Sequence, residues 1–580
     1  MHEFTVWGPA AKTMAVEVGG TRHEMAGPDQ HGWWKTEVED AGPGTDYGFQ
    51  IGDDPAVYPD PRSAWQPNGV HGMSRVCDHQ AFEWHDARWQ APPLASAVMY
   101  ELHIGTFTLE GTFDAAIARL EYLFEFGITH VELMPVAAFP GDRGWGYDGV
   151  ALFAVTENYG GPDGLKRFVD ACHGRGLAVV LDVVYNHFGP VGNYTGKFGP
   201  YLTDCHRTPW GDAVNFEGAW SDEVRRFFCD NATMWMRDFH IDGLRLDAVH
   251  AFVDRSAVHF LEQLAAEVEG LAATLGRRLV LIAESDLNDP RVVTPREAGG
   301  YGIDAQWSDD FHHALFTLLH RENGGYYADF GSFAQLAKAL TRAFVYDGTY
   351  SKYRNRRHGR PADGLSAHRF VDFIQNHDQV GNRAMGERLE HLAGMDRAKV
   401  AVGLVLTAPG IPLLFQGEEW AASTPFLYFA DHEDPEMARA VSDGRKKEFA
   451  AFGFAERQIP DPEKRETFER STLNWTEAGE GTHAEMLEWV RRLIHLRRKS
   501  PSLNDGDLGH VTVRCDEESR WLAMDRGGVR VILNLGEETA SFPMADGFRV
   551  ELASRAGVTL AAGQIALAPD TLAVLSSEPK

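Results

Sequence analysis

The chain has 580 residues, too many for one hydrophobic core, so several domains are expected. Hydrophobic residues make up 44% and charged residues 24%, the balance of a soluble globular protein. With 84 acidic against 55 basic residues the formal charge is −29, which argues against nucleic acid or an anionic membrane as partner and suits a neutral substrate.

Residues 1 to about 90 are predicted to form a small β-sandwich. "FTVWGP", "MAVEVGG", "GWWKTEV" and "TDYGFQIG" cluster β-formers between Gly, Pro and Asp. From about 97 the rhythm changes. "AVMYELHIGTF" reads as a buried strand, and Phe113, Ile117, Leu120 and Phe124 then recur at helical spacing before Gly127. "HVELMPV" is a second strand, followed by a helix with Leu165, Phe168, Val169 and Cys172 on one face. "LAVVLDVVYNH" is a third, almost wholly apolar until its end, as strands buried on both faces are. Ser221 is the candidate cap of the next helix, which leads to "DGLRLDAVH". A long helix over about 255–275 precedes "LVLIAESD", and "IDAQWS", "HRFVDFIQNHD" and "GIPLLFQGEE" complete eight strands.

Strands alternating with helices imply a parallel sheet, and eight repeats fit a closed (β/α)8 barrel with insertions. The stretch 421–482 reads as an insertion with a helix near "EMARAVSDGRKKEFAAF". After the amphipathic "HAEMLEWVRRLIHLRRK", short strands return and suggest an antiparallel C-terminal β-domain. The expected division is a sandwich over 1–90, a catalytic barrel over 91–502 and a β-domain over 503–580.

The polar residues collect where barrel strands end. Asp182, Asn186 and His187 follow the third strand, and Arg245, Asp247 and His250 the fourth. Glu284 and Asp286 follow the fifth, and Asn376, His377 and Asp378 the seventh. In a parallel barrel these ends share one face, where active sites form. Asp247, Glu284 and Asp378 supply the paired carboxylates that glycosidic-bond hydrolysis requires: one to protonate the leaving oxygen, one to act as nucleophile or to activate water. Neighbouring strand ends favour the shorter spacing, about 5 Å, of a covalent mechanism. Arg245 beside Asp247 should keep it ionised at neutral pH, whereas desolvation and nearby carboxylates should raise Glu284, suiting a general acid.

"DVVYNH", "GLRLDAVH", "IAES" and "FIQNHD" resemble, in order and spacing, the four signature regions of the α-amylase family of retaining glycoside hydrolases and transglycosidases. The resemblance implies Asp247 as nucleophile, Glu284 as acid/base and Asp378 as a third acid holding sugar hydroxyls. It also implies that Tyr147, His187, Arg245 and His377 line one sugar subsite, with Asp182 and Glu419 supporting. A sandwich before the barrel, of carbohydrate-binding type, and a β-domain behind it fit members acting on glycogen-like glucans. Asn186 matches a calcium-binding position of secreted amylases, but no acidic calcium loop is present. The five cysteines form no CxxC or Cys/His cluster and no disulfide framework, so neither a metal nor a cofactor is expected. The N-terminus lacks a signal core and no apolar run reaches the roughly 18 residues of a membrane span, so a cytoplasmic protein free of the membrane is expected.

Within the family, "LRLDAVHAFVD" and "IAESDLNDPR" depart from the branching-enzyme pattern. With "DAQWSDDFHHAL" and "TPFLYFADHEDPEMARAV" they resemble the members that hydrolyse the α-1,4 bond next to the terminal α,α-trehalose of maltooligosyltrehalose, a neutral oligosaccharide. A functional pairing with the synthase making that substrate follows. His250 bears on this identity, and His313 and Phe426 are candidate walls on the trehalose side. An α-1,4-glucan branching enzyme is the alternative. A catalytically silent glucan-binding barrel is a further one, set against the presence of all three carboxylates.

Overall fold

Eight parallel strands close into a barrel: β1 Met99–Leu102, β2 His130–Leu133, β3 Ala178–Val183, β4 Gly243–Leu246, β5 Val280–Ala283, β6 Ala305–Trp307, β7 Phe370–Asp372 and β8 Ile411–Phe415. They are hydrogen-bonded in this sequential order, with β8 returning to β1. The molecule is described by a computed structural model over residues 1–322, 324–450 and 459–577. Every residue of β3 is buried, as the unbroken apolar run predicts for a strand covered on both faces. Parallel register sets Asp182 of β3 against Arg245 of β4, so that charge faces charge across one hydrogen-bonded step.

The helix Gly161–Gly174 buries Leu165, Phe168, Val169 and Cys172 as its spacing predicts. Three other expectations are corrected. The run from Phe113 is two short helices, Phe113–Ile117 and Leu120–Phe126, and the break changes the buried face. Leu123 and Phe126 point inward, and Phe124 is 45% exposed. Ser221 is the first residue of helix Ser221–Asp238 rather than its cap, because Trp220 precedes it in the left-handed region and makes no side-chain cap bond. The helix expected over about 255–275 begins at Phe260, where the His259 ring accepts from the Leu261 amide.

Before the barrel, a two-stranded sheet (His2–Trp7 with Trp33–Val38) and a four-stranded sheet pack through Phe4, Trp34, Met14 and Phe49. Behind it, a five-stranded antiparallel sheet built on Trp521–Arg526 and Val529–Asn534 packs against a three-stranded one. The expected 421–482 insertion carries helix Pro435–Ala450, and the last two residues of the helical stretch predicted there lie outside the described residues. A hairpin, Asp347–Ser351 with Arg356–Gly359, rises between β6 and β7 and was not foreseen.

The connector from the N-terminal sheets is fastened by charge. His173 and His240 each donate from Nδ1 to Asp86 at 2.7 Å. The opposite face of His173 donates to Asp242, just before β4, at 2.9 Å, and Arg277 joins Asp242 at 3.0 Å. Trp84 stacks on His240 and Trp89 on His173.

Candidate active site

Arg245 stands fully buried at the centre of the strand-end face. Its Nη1 donates to both oxygens of Asp182, at 3.0 and 2.9 Å, and to Asp247 at 2.9 Å. Its Nη2 lies 2.9 Å from Glu284, an ion pair not aligned as a hydrogen bond, since Nη2 has no hydrogen-bond partner. The Trp307 ring lies 4.2 Å from the guanidinium carbon and completes the cation's surroundings. One rigid fork therefore fixes carboxyls from β3, β4 and β5, a task for which a lysine has the wrong shape.

Ala248, directly after Asp247, adopts the left-handed region at φ 40° and ψ 50°. This costs an alanine about 1–2 kcal/mol. It also turns the Ala248 amide onto Glu284, to which it donates at 2.8 Å. An alanine carries no sequence mark for such a turn.

The second half of the site hangs on His377. Asn376 caps helix His377–Gly381 by accepting from the Gln379 amide, which places His377 and Asp378 in its first turn rather than on the strand. His377 donates from Nδ1 to Glu101 at 2.5 Å, its backbone amide donates to the same carboxylate, and its Nε2 is 3.3 Å from Asp378. The Tyr147 hydroxyl donates to Asp182 at 2.6 Å and contacts His377 Nε2 at 2.7 Å, with the two rings stacked. His187 meets the Tyr147 carbonyl at 3.0 Å and lies parallel to Trp210. Glu101, inside the otherwise apolar "MYEL" of β1, is not among the residues singled out from the sequence; a lone acid in a buried strand is the signal that points to it.

Burial separates the protonation of these groups. It pushes Asp247 up to about 6, with Arg245 opposing and Asp182 and Asp378 adding to the rise. Burial lifts Glu284 to about 7, again against Arg245 and with help from Asp247 and Asp378. Burial also acts on Asp378, but His377 outweighs it and holds that carboxyl at about 2. Desolvation exceeds the arginine's pull, yet with Arg245 opposing the rise Asp247 stays mainly ionised at pH 7, as expected of the pair.

Glu284 and Asp378 open into a cavity of about 290 Å³, walled by Trp307, His313, Tyr326, Phe330, Tyr346 and Tyr353. A larger cavity, of about 670 Å³, lies against helix Gly481–Lys499 and contains none of these groups, so size does not mark the site. His250 is half-buried in the turn after Asp247, and among the described residues its Nδ1 has no hydrogen-bond partner. Phe426 does not reach the cavity. It is fully buried, stacked on Trp145 and packed against Phe415 and Phe429. A ring that anchors this apolar cluster presents no face to a sugar. Among the described residues no group of three or more His, Cys, Asp or Glu side chains could hold a metal ion, and Asn186 is buried with both amide atoms unpartnered.

A closed parallel barrel with three carboxyls gathered on one guanidinium and one imidazolium defines a glycoside hydrolase of the α-amylase class. The alpha-amylase catalytic-domain family matches residues 61–198, and a domain of unknown function, DUF3459, matches 506–574. The chain is 47% identical to a malto-oligosyltrehalose trehalohydrolase of Rhizobium sp. over 99% of this chain and 97% of that one. It is 50% identical to one of Mycobacterium tuberculosis over 94% of each. The chain belongs to the malto-oligosyltrehalose trehalohydrolase family. A crystal structure titled as a putative alpha amylase from Salmonella typhimurium superposes with a TM-score of 0.91 at 39% identity, covering 99% of this chain and 97% of that one. A 1,4-alpha-glucan branching enzyme of Mesorhizobium japonicum is 27% identical over 90% of this chain and 67% of its own length.

Proposed function

We propose that this protein hydrolyses the α-1,4-glucosidic bond next to the terminal α,α-trehalose of maltooligosyltrehalose, releasing trehalose and a maltooligosaccharide. The observation that carries the reading is the division of labour around Arg245. Of the two carboxyls it touches at the ends of β4 and β5, Asp247 is the more acidic and Glu284 still holds a proton near neutrality. Glu284 gives its proton to the glycosidic oxygen as the C–O bond breaks, and Asp247 attacks the anomeric carbon to form a glycosyl-enzyme ester. Ionised Glu284 then takes a proton from water, whose oxygen displaces Asp247 and restores both groups. Asp378, kept ionised by His377, accepts from the hydroxyls of the reacting ring, which Tyr147, His187, Arg245 and His377 surround. His313, among the rings of the cavity, and His250, beside Glu284, face the leaving side. Phe426 acts only by bracing Trp145.

The boundaries near residues 90 and 502 fit this reading, with the flanking β-domains packing on a catalytic barrel. Among the described residues no helix is long and apolar enough to cross a membrane, which is compatible with a cytoplasmic enzyme paired with the synthase that supplies its substrate. The test is product analysis on a maltooligosyltrehalose beside a maltooligosaccharide of equal length. Free trehalose as the main product supports the proposal; α-1,6-branched products would instead establish the branching reaction.

A further inference from the structure

The cavity beyond Glu284 and Asp378 is lined by five acids, and four of them are already engaged. Glu284 is held by Arg245 and the Ala248 amide. Asp378 accepts from Asn382 at 3.0 Å and faces His377. Asp286 is paired with Arg354 of the hairpin at 3.2 Å. Asp310 accepts from Asn288 and from the Val345 and Tyr346 amides, at 2.7, 2.6 and 2.9 Å. Asp309 differs. Half-buried at the start of helix Asp309–His320, it lines the same cavity, and among the described residues no hydrogen bond or ion pair reaches its carboxyl.

A carboxyl that lines the cavity and is bound to no other side chain or amide is available to a ligand there. The surrounding walls show which ligand chemistry fits. Trp307, Tyr326, Tyr346 and Tyr353 offer ring faces, and Asn376 and Gln379 add amides, the mixture of apolar faces and hydrogen-bonding groups that a pyranose presents. At about 290 Å³ the space is at the lower end for ligand pockets, suited to one or two sugar rings and not to a long chain. We infer that Asp309 is a binding residue of the leaving-group side, whose carboxyl takes hydroxyls of the trehalose unit. Burial and the four facing acids, Glu284 first, raise Asp309 well above the ordinary carboxylate range. A carboxyl accepts from sugar hydroxyls, and when it holds a proton it donates to one as well.

The inference rests on the proposed hydrolysis, and trehalose itself is the probe. Asp309→Ala should weaken trehalose binding, measured as product inhibition and by calorimetry, by about tenfold or more. It should raise KM for maltooligosyltrehalose more than it lowers kcat. Asp309→Asn, which keeps a donor and an acceptor of the same size, should recover part of both. If Asp309 merely sits at a helix start, the alanine variant lowers Tm and leaves trehalose affinity as it was. If it merely tunes Glu284, the alkaline limb of the pH–rate profile moves and trehalose affinity does not. Either result overturns the inference, while continued trehalose release by the wild type leaves the underlying reaction standing. A wild type that releases no trehalose overturns both.

Discussion

Arg245 serves three carboxyls at once, and the balance among them sets the working pH. Asp247 must be ionised to attack and Glu284 protonated to donate, so activity should fall as pH drops through about 6 and as it rises through about 7. The two limbs belong to the coupled pair, and the profile of kcat/KM against pH should be a narrow bell. Glu284→Gln should lower kcat by about 10²–10⁴-fold with KM little changed, and the residual activity should lose the alkaline limb. A retained alkaline limb in that variant would assign the proton to another group. Beneath these residues, Glu132 of β2 is fully buried with neither carboxyl oxygen hydrogen-bonded. Burial, Glu101 and Asp182 raise it far above its ordinary range.

At the scale of elements, the strand-to-helix turn after β7 is held by packing from outside the site. Trp145 meets His377 edge-on and stacks on Phe426. A Cβ added at Gly381 would lie 2.1 Å from the Trp145 ring, so only glycine lets the helix of His377 and Asp378 approach. Gly381→Ala should therefore lower kcat/KM by displacing His377, readable as a loss of activity at unchanged pH optimum. Phe426→Ala empties part of this cluster and should cost about 3–5 kcal/mol of stability, seen in denaturant unfolding. Its preference for maltooligosyltrehalose over a plain maltooligosaccharide should stay near wild type. A changed preference would return Phe426 to the cavity wall.

For the whole molecule, the Asp86–His173–Asp242 chain fastens the connector to the barrel away from the sugar site. Burial opposes charge on His173, but Asp242 and Asp86 override it and raise its pKa from 6.5. Its contribution to stability is thus complete below about 6.5 and lost as pH rises through the raised value. Burial likewise opposes charge on Asp86, and the two histidines pull it below the usual carboxylate range. That contribution is present above the ordinary carboxylate pKa and lost as pH falls through the depressed one. Asp86→Ala should cost about 3–5 kcal/mol, because it leaves His173 with half its pairing. The gap in Tm from wild type should be widest between about pH 5 and 6.5 and should narrow in alkali. An equal gap at all pH values would make the latch a matter of packing alone.

The sequence by itself determined the barrel, its eight strands and the carboxyls at their ends. Strand periodicity and motif spacing are local properties, and "DGLRLDAVH" carries its arginine and aspartate on one side of β4 whatever surrounds it. The same local reading placed Phe124 inside and took Ser221 as a cap, since a two-residue break or a left-handed Trp220 leaves no periodic trace. Tertiary structure alone decided that Glu101 grips His377, that Ala248 turns its amide onto Glu284 and that Phe426 stands behind Trp145. Each of these joins residues distant in the chain or depends on a backbone turn. Burial and partnership are properties of the closed barrel, fixed only when strands and loops far apart in sequence meet.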